Sequence, residues 1–253
     1  MPQRVNYDQI AHLYDEPFRD YPVDANLLHF LSERPDLSDL RILDTGCGTG
    51  KQLTANRGQF PEATIIGLDL FRGMLRHAQK RCADVSWVNG DSSRQPLKSN
   101  SFDYITNQLS YHHGLNKRGI FEEIYRVLKP GGRFVLNSVD PWRMQHWAIY
   151  HYFPASLRHD FNDFLPTESI TALMQEIGFT RIQVQHQPQT SLQTLKQVLE
   201  FSSQRSRNSQ LIVLTDEEYS QGIERIQADI QAQGEDTIVE STIVFLTITG
   251  DKE

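Results

Sequence analysis

The stretch that decides the fold is Ile42-Leu43-Asp44-Thr45-Gly46-Cys47-Gly48-Thr49-Gly50. A short apolar run ends in an acidic residue, and glycines follow at three alternate positions. This order is typical of a strand, a tight turn and a helix start, because glycine accepts positive φ and lets a ligand approach without a Cβ in the way. The free N–H groups at the start of a helix favour a negatively charged ligand group. The stretch therefore predicts a site for a nucleoside-like cofactor.

The spacing of the glycines narrows the choice of cofactor. Dinucleotide-binding folds carry G-x-G-x-x-G after a strand, with an acidic residue about 20 positions further on. Gly46 and Gly48 fit that pattern, but Lys51 holds the place of the third glycine, which comes one residue early at Gly50. The pattern disfavours a nucleotide-dependent oxidoreductase, which stays as a second hypothesis.

Three further apolar runs also end in polar residues: Ala63–Asp69, Val85–Asp91 and Ser101–Asn107. Open α/β sheets bind ligands at the carboxyl ends of their strands. A carboxylate at Asp69 is suited to accept hydrogen bonds from ribose hydroxyls, and one at Asp91 from the exocyclic amine of adenine. The structural alternatives are a turn residue at Asp69 and a helix N-cap at Asp91.

Taken together, these motifs resemble the class I S-adenosylmethionine-dependent methyltransferases, and among them the small-molecule branch similar to the ubiquinone/menaquinone-biosynthesis methyltransferases. The matching stretches follow one another between residues 40 and 137: Leu43–Gly50, Gly67–Asp69, Met74–Ala78, Gly90–Asp91, Phe102–Ile105 and Glu122–Gly132. The resemblance implies an α/β, Rossmann-like, doubly wound seven-stranded sheet. It is mostly parallel with an antiparallel last strand, and it carries helical lid insertions.

The same resemblance implies S-adenosyl-L-methionine as the cofactor. Asp44 is expected near its ammonium group, Asp69 at its ribose, and Leu70 and Met74 against its adenine. The full set of expected cofactor contacts is Tyr14, Asp44, Thr45, Gly46, Cys47, Gly48, Asp69, Leu70, Met74, Gly90, Asp91, Ser92 and Asn107. Cys47 is expected as a small buried residue rather than as a reactive thiol. Two cysteines are too few for a disulfide framework or a zinc site, and no metal is expected.

The candidate catalytic residues are Tyr111, His112 and His113, which follow the fourth predicted strand. In the resembling family this segment faces the methyl group. Methyl transfer from a sulfonium depends mainly on alignment, and a base is needed only when the acceptor must lose a proton. Histidine titrates near neutrality and suits that role. A structural hydrogen bond is the alternative for at least one of the two histidines.

The chain is expected to be one methyltransferase domain, 1–253, with a cofactor-binding core at 40–137. Residues 1–33 are predicted to form an N-terminal helical lid, broken at Pro17 and Pro22. Residues 138–165 and 189–236 are predicted to be helical insertions that form the acceptor pocket or lid.

Finer predictions concern the second half of the chain. A helix is expected at about 116–129 with a Glu122–Arg126 pair, then a strand at Phe179–Val184 and a turn at Gln187–Gln189. In the first insertion, the aromatic side chains of Trp142, Trp147 and Phe153 are candidates for a pocket wall.

Composition restricts the partners. The 253 residues carry a net charge of −7, which argues against a nucleic-acid substrate. The N-terminus lacks an apolar signal core, and no run approaches the ~18 apolar residues of a membrane span. We therefore expect a cytoplasmic protein that methylates a small, hydrophobic or aromatic metabolite at oxygen, nitrogen or carbon. A non-catalytic adenosylmethionine-binding module is the third hypothesis, and the oligomeric state is not predicted.

Overall fold

The computed structural model describes residues 5–14, 21–34 and 38–253. Its described strands form a seven-stranded sheet of order β3-β2-β1-β4-β5-β7-β6. The strands are β1 Arg41–Thr45, β2 Thr64–Asp69, β3 Ser86–Asn89, β4 Phe102–Gln108, β5 Leu128–Val139, β6 Thr180–Thr194 and β7 Ile238–Asp251. The helices are α1 Tyr7–Tyr14, α2 Ala25–Ser32, α3 Lys51–Gln59, α4 Arg72–Arg81, α5 Lys117–Val127, α6 Ala148–Tyr152, α7 Pro154–Asp163, α8 Thr167–Ile177, α9 Leu195–Ser203, α10 Ser209–Ile212 and α11 Asp216–Gln233.

The first five strands are parallel, and their register brings the predicted polar residues to one edge. Asp44 on β1 lies beside Gly67 on β2 and beside Thr106 on β4. Asp69, the last residue of β2, lies beside Asn89 on β3. Because parallel strands end at the same edge of a sheet, this register gathers the acidic strand ends around the glycine-rich turn.

The strand β7 runs antiparallel to β5. The Gly131 N–H donates to the Lys252 carbonyl at 2.7 Å, and the Lys252 N–H donates to the Gly132 carbonyl at 3.1 Å. The predicted fold class, mostly parallel with an antiparallel last strand, is confirmed. Pro17, predicted to break the N-terminal helices, lies outside the described residues.

The chain divides into two compact units. The first, which we call the core unit, contains Asn6–Ser138, Glu168–Gln185 and Thr247–Glu253. One of its apolar clusters packs helix α2 and helix α3 on strands β1 and β2 through residues such as Leu27, Leu53 and Ile65. Burial of such side chains is the main stabilising contribution to a fold of this kind.

The second, the helical unit, contains Val139–Thr167 and His186–Leu246. The aromatic residues of the first insertion build its core, where Trp147 and Phe153 pack with Leu195 and Ile226. Trp147 and Phe153 are buried, and Trp142 stacks on Phe161 at 5.0 Å between ring centroids. Trp147 and Phe153 therefore contribute to the packing of the unit, because a compact unit needs an apolar centre of its own.

The helix predicted at 116–129 ends at Val127, and β5 begins directly at Leu128. The Asn116 side chain caps it by accepting from the Gly119 N–H at 2.9 Å, as expected of an N-cap residue. The predicted Glu122–Arg126 pair was wrong. Arg126 pairs with Glu123 at 2.7 Å, because the neighbouring chain segment engages the same two side chains: the Gln95 N–H donates to Glu123, and Arg126 donates to the Gln95 carbonyl.

The predicted turn at Gln187–Gln189 was also wrong, and residues 189–194 are strand rather than helical insertion. Strand β6 runs without interruption from Thr180 to Thr194. It is the last strand of the sheet order, and an edge strand tolerates proline because one row of its N–H groups has no strand partner. Pro188 therefore does not end the strand.

Candidate active site

The glycine-rich turn connects β1 to α3 and is held in a left-handed backbone conformation. Gly46, Gly48 and Gly50 have φ values of 79°, 54° and 74°. A Cβ at Gly46 would lie 2.2 Å from the Ser110 Oγ, and a Cβ at Gly50 would lie 2.4 Å from Trp87. A Cβ at Gly48 would meet no heavy atom within 4 Å. Packing thus requires glycine at Gly46 and Gly50, while the backbone at Gly48 is uncovered and a ligand can approach it.

Asp69 connects this turn to the end of β2. One oxygen of its buried carboxylate accepts from the Gly48 N–H at 2.9 Å, and the other accepts from the Phe71 N–H at 2.8 Å. Burial raises the pKa of the Asp69 carboxyl group, and the two backbone hydrogen bonds oppose that effect. Each carboxylate oxygen has a second lone pair, so the group keeps acceptor capacity for a pair of ligand hydroxyls.

Asp44, at the end of β1, is 3% exposed. Its Oδ1 atom has no hydrogen-bond partner among the residues that the structure describes. Burial raises the pKa of its carboxyl group well above the usual range, and the nearby acids Asp24 and Asp69 raise it further. A buried carboxylate with an unsatisfied oxygen beside two other acids favours a cationic partner.

Residues 43–136 match the family model described as "Methyltransferase domain". These residues are a methyltransferase domain. The matched range includes the glycine-rich turn, Asp69 and the histidine pair, so the resemblance inferred from the motifs is confirmed.

Individual relatives agree with this assignment. The chain is 31% identical over 156 residues to the biotin biosynthesis bifunctional protein BioHC of Teredinibacter turnerae, which aligns 56% of this chain with 26% of that protein. It is 25% identical over 219 residues to the demethylmenaquinone methyltransferase of Lactococcus lactis, covering 72% of this chain and 86% of that protein. The chain thus spans about a quarter of the length of the first of these relatives.

Solved structures share the fold. The phosphoethanolamine N-methyltransferase 2 of Haemonchus contortus, in complex with phosphomonomethylethanolamine and S-adenosylhomocysteine, superimposes with a TM-score of 0.59. It is 21% identical and covers 97% of this chain and 57% of its own. At this identity the comparison supports the fold of the methyltransferase domain.

The remaining predicted cofactor residues fall into two groups. The first group lies around the glycine-rich turn. In it, Leu70 is half-exposed, Ser92 is partly exposed, and Met74 and Cys47 are buried. Gly90 donates its N–H to the Asp69 carbonyl at 3.0 Å. Asp91 is exposed and accepts from the Ser93 N–H and hydroxyl, both at 2.8 Å. This is a local Asx turn, and it uses one of the two carboxylate oxygens.

The second group holds the turn in place through buried polar contacts. The Asn107 amide donates to the Thr45 carbonyl at 2.7 Å and to the Thr45 hydroxyl at 3.0 Å, and its oxygen accepts from the Tyr111 N–H at 3.0 Å. Both donors of Asn107 are therefore engaged within the protein. The Tyr14 carbonyl accepts from the Thr49 hydroxyl at 3.5 Å, which is a long contact.

The three candidate catalytic residues have different surroundings. Tyr111 is buried, and its ring packs against Phe121 at 6.1 Å. His112 is buried, and this burial, followed by the charges of His113 and Lys117, lowers the pKa of its imidazole well below the usual range. His113 is partly exposed, and its Nε2 lies 2.8 Å from the Tyr7 hydroxyl. Of the two histidines, His113 has the more accessible imidazole.

Tyr7 belongs to the N-terminal lid predicted at 1–33, but the sequence indicated no partner for it. Tyr7 contacts His113 and Phe71 with ring centroids 5.1 and 5.4 Å apart. Helix α1 is attached to α4 by Asp8, whose carboxylate accepts from the Gly73 N–H. A total of 106 positions separate Tyr7 from His113, so no local pattern could have revealed the pair.

The described residues offer neither a helix that could cross a membrane nor a cluster suited to a metal ion. They contain no helix with both the length and the apolar character that a membrane crossing requires. They also contain no group of three or more His, Cys, Asp or Glu side chains placed to hold a metal ion.

Proposed function

We propose that the protein transfers a methyl group from S-adenosyl-L-methionine to oxygen, nitrogen or carbon of a small acceptor molecule. The observation that supports this most is the Asp69 carboxylate, which fastens the glycine-rich turn at Gly48 and keeps lone pairs for a ribose. The match to a methyltransferase domain over residues 43–136 supports the same reaction class. Lys51 at the place of the third glycine gives no support to the oxidoreductase alternative.

The cofactor fits the residues present. Asp44, with its unsatisfied buried oxygen, would accept from the ammonium group, and Asp69 from the ribose hydroxyls. The bare backbone at Gly48 admits the nucleoside, and Leu70 and Met74 offer apolar surface to the adenine. We assign Thr45 and Asn107 to holding the turn. The bound cofactor supplies an activated methyl group on a positively charged sulfur.

We propose that Tyr7 and His113 take the proton that the acceptor loses. Burial raises the pKa of the Tyr7 phenol, so Tyr7 keeps its proton at neutral pH, and its oxygen lies 2.8 Å from the Nε2 of His113. We assign His113 the tautomer with an unprotonated Nε2, to which the Tyr7 hydroxyl donates. The Tyr7 oxygen then accepts the proton of the acceptor as its own proton passes to Nε2. A positioned acid–base group of this kind contributes roughly 10²–10⁴-fold to a rate. We give Tyr111 and His112 a supporting role in the packing of this segment.

The proposed acceptor is not a nucleic acid, because a net charge of −7 repels a phosphate backbone. We also propose a cytoplasmic location, where the free thiols of Cys47 and Cys82 stay reduced.

Cofactor binding is tested by calorimetric titration with S-adenosylhomocysteine. The wild type should bind saturably, and Asp69→Ala should weaken binding by about 1–3 kcal/mol, through the lost hydrogen bonds to the ribose. Asp84→Ala is the matched control, since Asp84 is an exposed acid in the turn before β3. Flat titrations of the wild type, or equal affinities of the wild type and Asp69→Ala, would contradict the proposal.

The proton acceptor is tested by the pH dependence of turnover, with demethylmenaquinone and phosphoethanolamine as first acceptors. The first is in the name of a similar protein, a demethylmenaquinone methyltransferase, and the second is in the name of a solved structure with the same fold. A general base acts in its deprotonated form, so the wild-type kcat/KM should rise with pH and then reach a plateau. His113→Gln should be at least 100-fold slower and should lack that rise. Full activity of His113→Gln with an unchanged pH profile would remove His113 from the mechanism.

A further inference from the structure

The connection between β4 and α5 contains a residue in a conformation that its side chain disfavours. Leu109 has a φ of 48°, in the left-handed region. A side chain with a Cβ meets steric resistance there, and leucine lacks the short polar group that lets asparagine form local hydrogen bonds. The Leu109 side chain is also 50% exposed, so burial does not offset the strain.

The other two non-glycine residues with positive φ in the described chain have evident explanations. Asn100 belongs to the residue types that accept this conformation. Arg181 is held by its ion pair with Asp251 at 2.9 Å. The Leu109 side chain is neither of a type that favours positive φ nor able to form an ion pair, so it does not offset the backbone strain. Strained backbone of this kind persists where the surroundings over-determine it, and it is frequent at ligand sites.

The surroundings of Leu109 do fix its backbone. Its N–H donates to the Asn137 carbonyl at 2.8 Å. The next residue, Ser110, donates its hydroxyl to the Thr45 carbonyl at 3.0 Å, directly beside the glycine-rich turn. Hydrogen bonds on both sides thus hold an apolar side chain outward at the edge where the cofactor-binding turn lies. Later in the same connection, Leu115 is 75% exposed.

We propose that Leu109 is a specificity-determining residue that contacts the apolar part of the acceptor. This inference rests on the methyl transfer proposed above and narrows the expected hydrophobic or aromatic acceptor to a molecule with a flat or extended apolar body next to the accepting atom. Burying the half-exposed leucine against such a body stabilises the complex, whereas a wholly polar acceptor leaves the side chain in water.

The test uses the full chain saturated with S-adenosylhomocysteine and the fluorescent phenol 1-naphthol as the acceptor probe. We expect saturable binding of 1-naphthol to the wild type and at least fivefold weaker binding to Leu109→Asn. Leu109→Met keeps an apolar side chain and should bind within twofold of the wild type. Leu28→Asn makes the same polar change at a half-exposed leucine on α2 and should leave 1-naphthol binding unchanged.

Thermal melting separates a binding role from a packing role. Asparagine tolerates positive φ, so Leu109→Asn should melt at the wild-type temperature or a few degrees above it, with unchanged affinity for S-adenosylhomocysteine. Wild-type affinity of Leu109→Asn for 1-naphthol, lack of 1-naphthol binding by the wild type, or a clear drop in melting temperature would each overturn the inference. Failure to bind S-adenosylhomocysteine would instead overturn the proposed function itself.

Discussion

At the scale of single residues, two glycines, one in the turn after β1 and one in β5, separate backbone strain from ligand access. Gly48 and Gly131 both have positive φ, 54° and 80°, and a Cβ at either would meet no heavy atom within 4 Å. Alanine at either position should therefore destabilise the protein by a similar amount, roughly 1–2 kcal/mol. Only Gly48→Ala should lose affinity for S-adenosylhomocysteine, by at least tenfold, because its methyl group occupies the approach to the turn.

Urea denaturation and calorimetric titration of the two variants check this prediction. Gly131→Ala serves as the control for strain, since Gly131 lies near the start of β5, beside β7 rather than in the turn. If both variants bind S-adenosylhomocysteine as the wild type does, the ligand does not approach Gly48. If both lose affinity equally, the effect comes from the general destabilisation.

At the scale of elements, helix α11 begins with a reciprocal capping box. The Thr215 hydroxyl accepts from the Glu218 N–H at 3.2 Å, and the Glu218 carboxylate accepts from the Thr215 N–H at 3.1 Å. Thr215→Ala removes the hydroxyl and should lower the free energy of unfolding by about 1 kcal/mol. Thr215→Ser keeps the acceptor and should stay close to the wild type in urea denaturation. Equal losses in both variants would show that the methyl group of threonine, rather than its oxygen, supports the helix start.

At the scale of the whole molecule, the chain contains two cores, and the core of the helical unit includes a buried acid. The Tyr150 hydroxyl donates to the Asp160 carboxylate at 2.5 Å, and burial raises the pKa of Asp160 to about 6. The folded state therefore prefers protonated Asp160, and this contribution to stability is lost as pH rises from about 4 to about 6. Relative to the wild type, Asp160→Asn should gain roughly 2–3 kcal/mol in the free energy of unfolding between pH 4 and pH 8.

Chemical denaturation across that pH range measures the difference between the two proteins. Asp236→Asn, an exposed acid in the turn before β7, is the control and should track the wild type at every pH. A constant difference between Asp160→Asn and the wild type would mean that Asp160 titrates at its ordinary pKa.

The sequence by itself determined the features that depend on neighbouring residues. The glycine spacing after Leu43 predicted the turn, the polar residue at the end of each apolar run predicted the polar edge, and the pattern at 116–129 predicted a helix. Such features follow from backbone sterics and local hydrogen bonds, which act over a few positions. The order of the motifs then indicated the family and its sheet.

Only the tertiary structure decided which distant groups meet. The pairing of Tyr7 with His113, the burial of Trp147 and Phe153 in a second core, and the continuation of β6 through Pro188 each depend on contacts far apart in the chain. An aromatic residue has the same local signature whether it lines a pocket or fills a core, because its environment comes from packing. Likewise, the local sequence around a proline predicts a turn, and only the sheet topology shows that the proline lies on an edge strand, where it is tolerated.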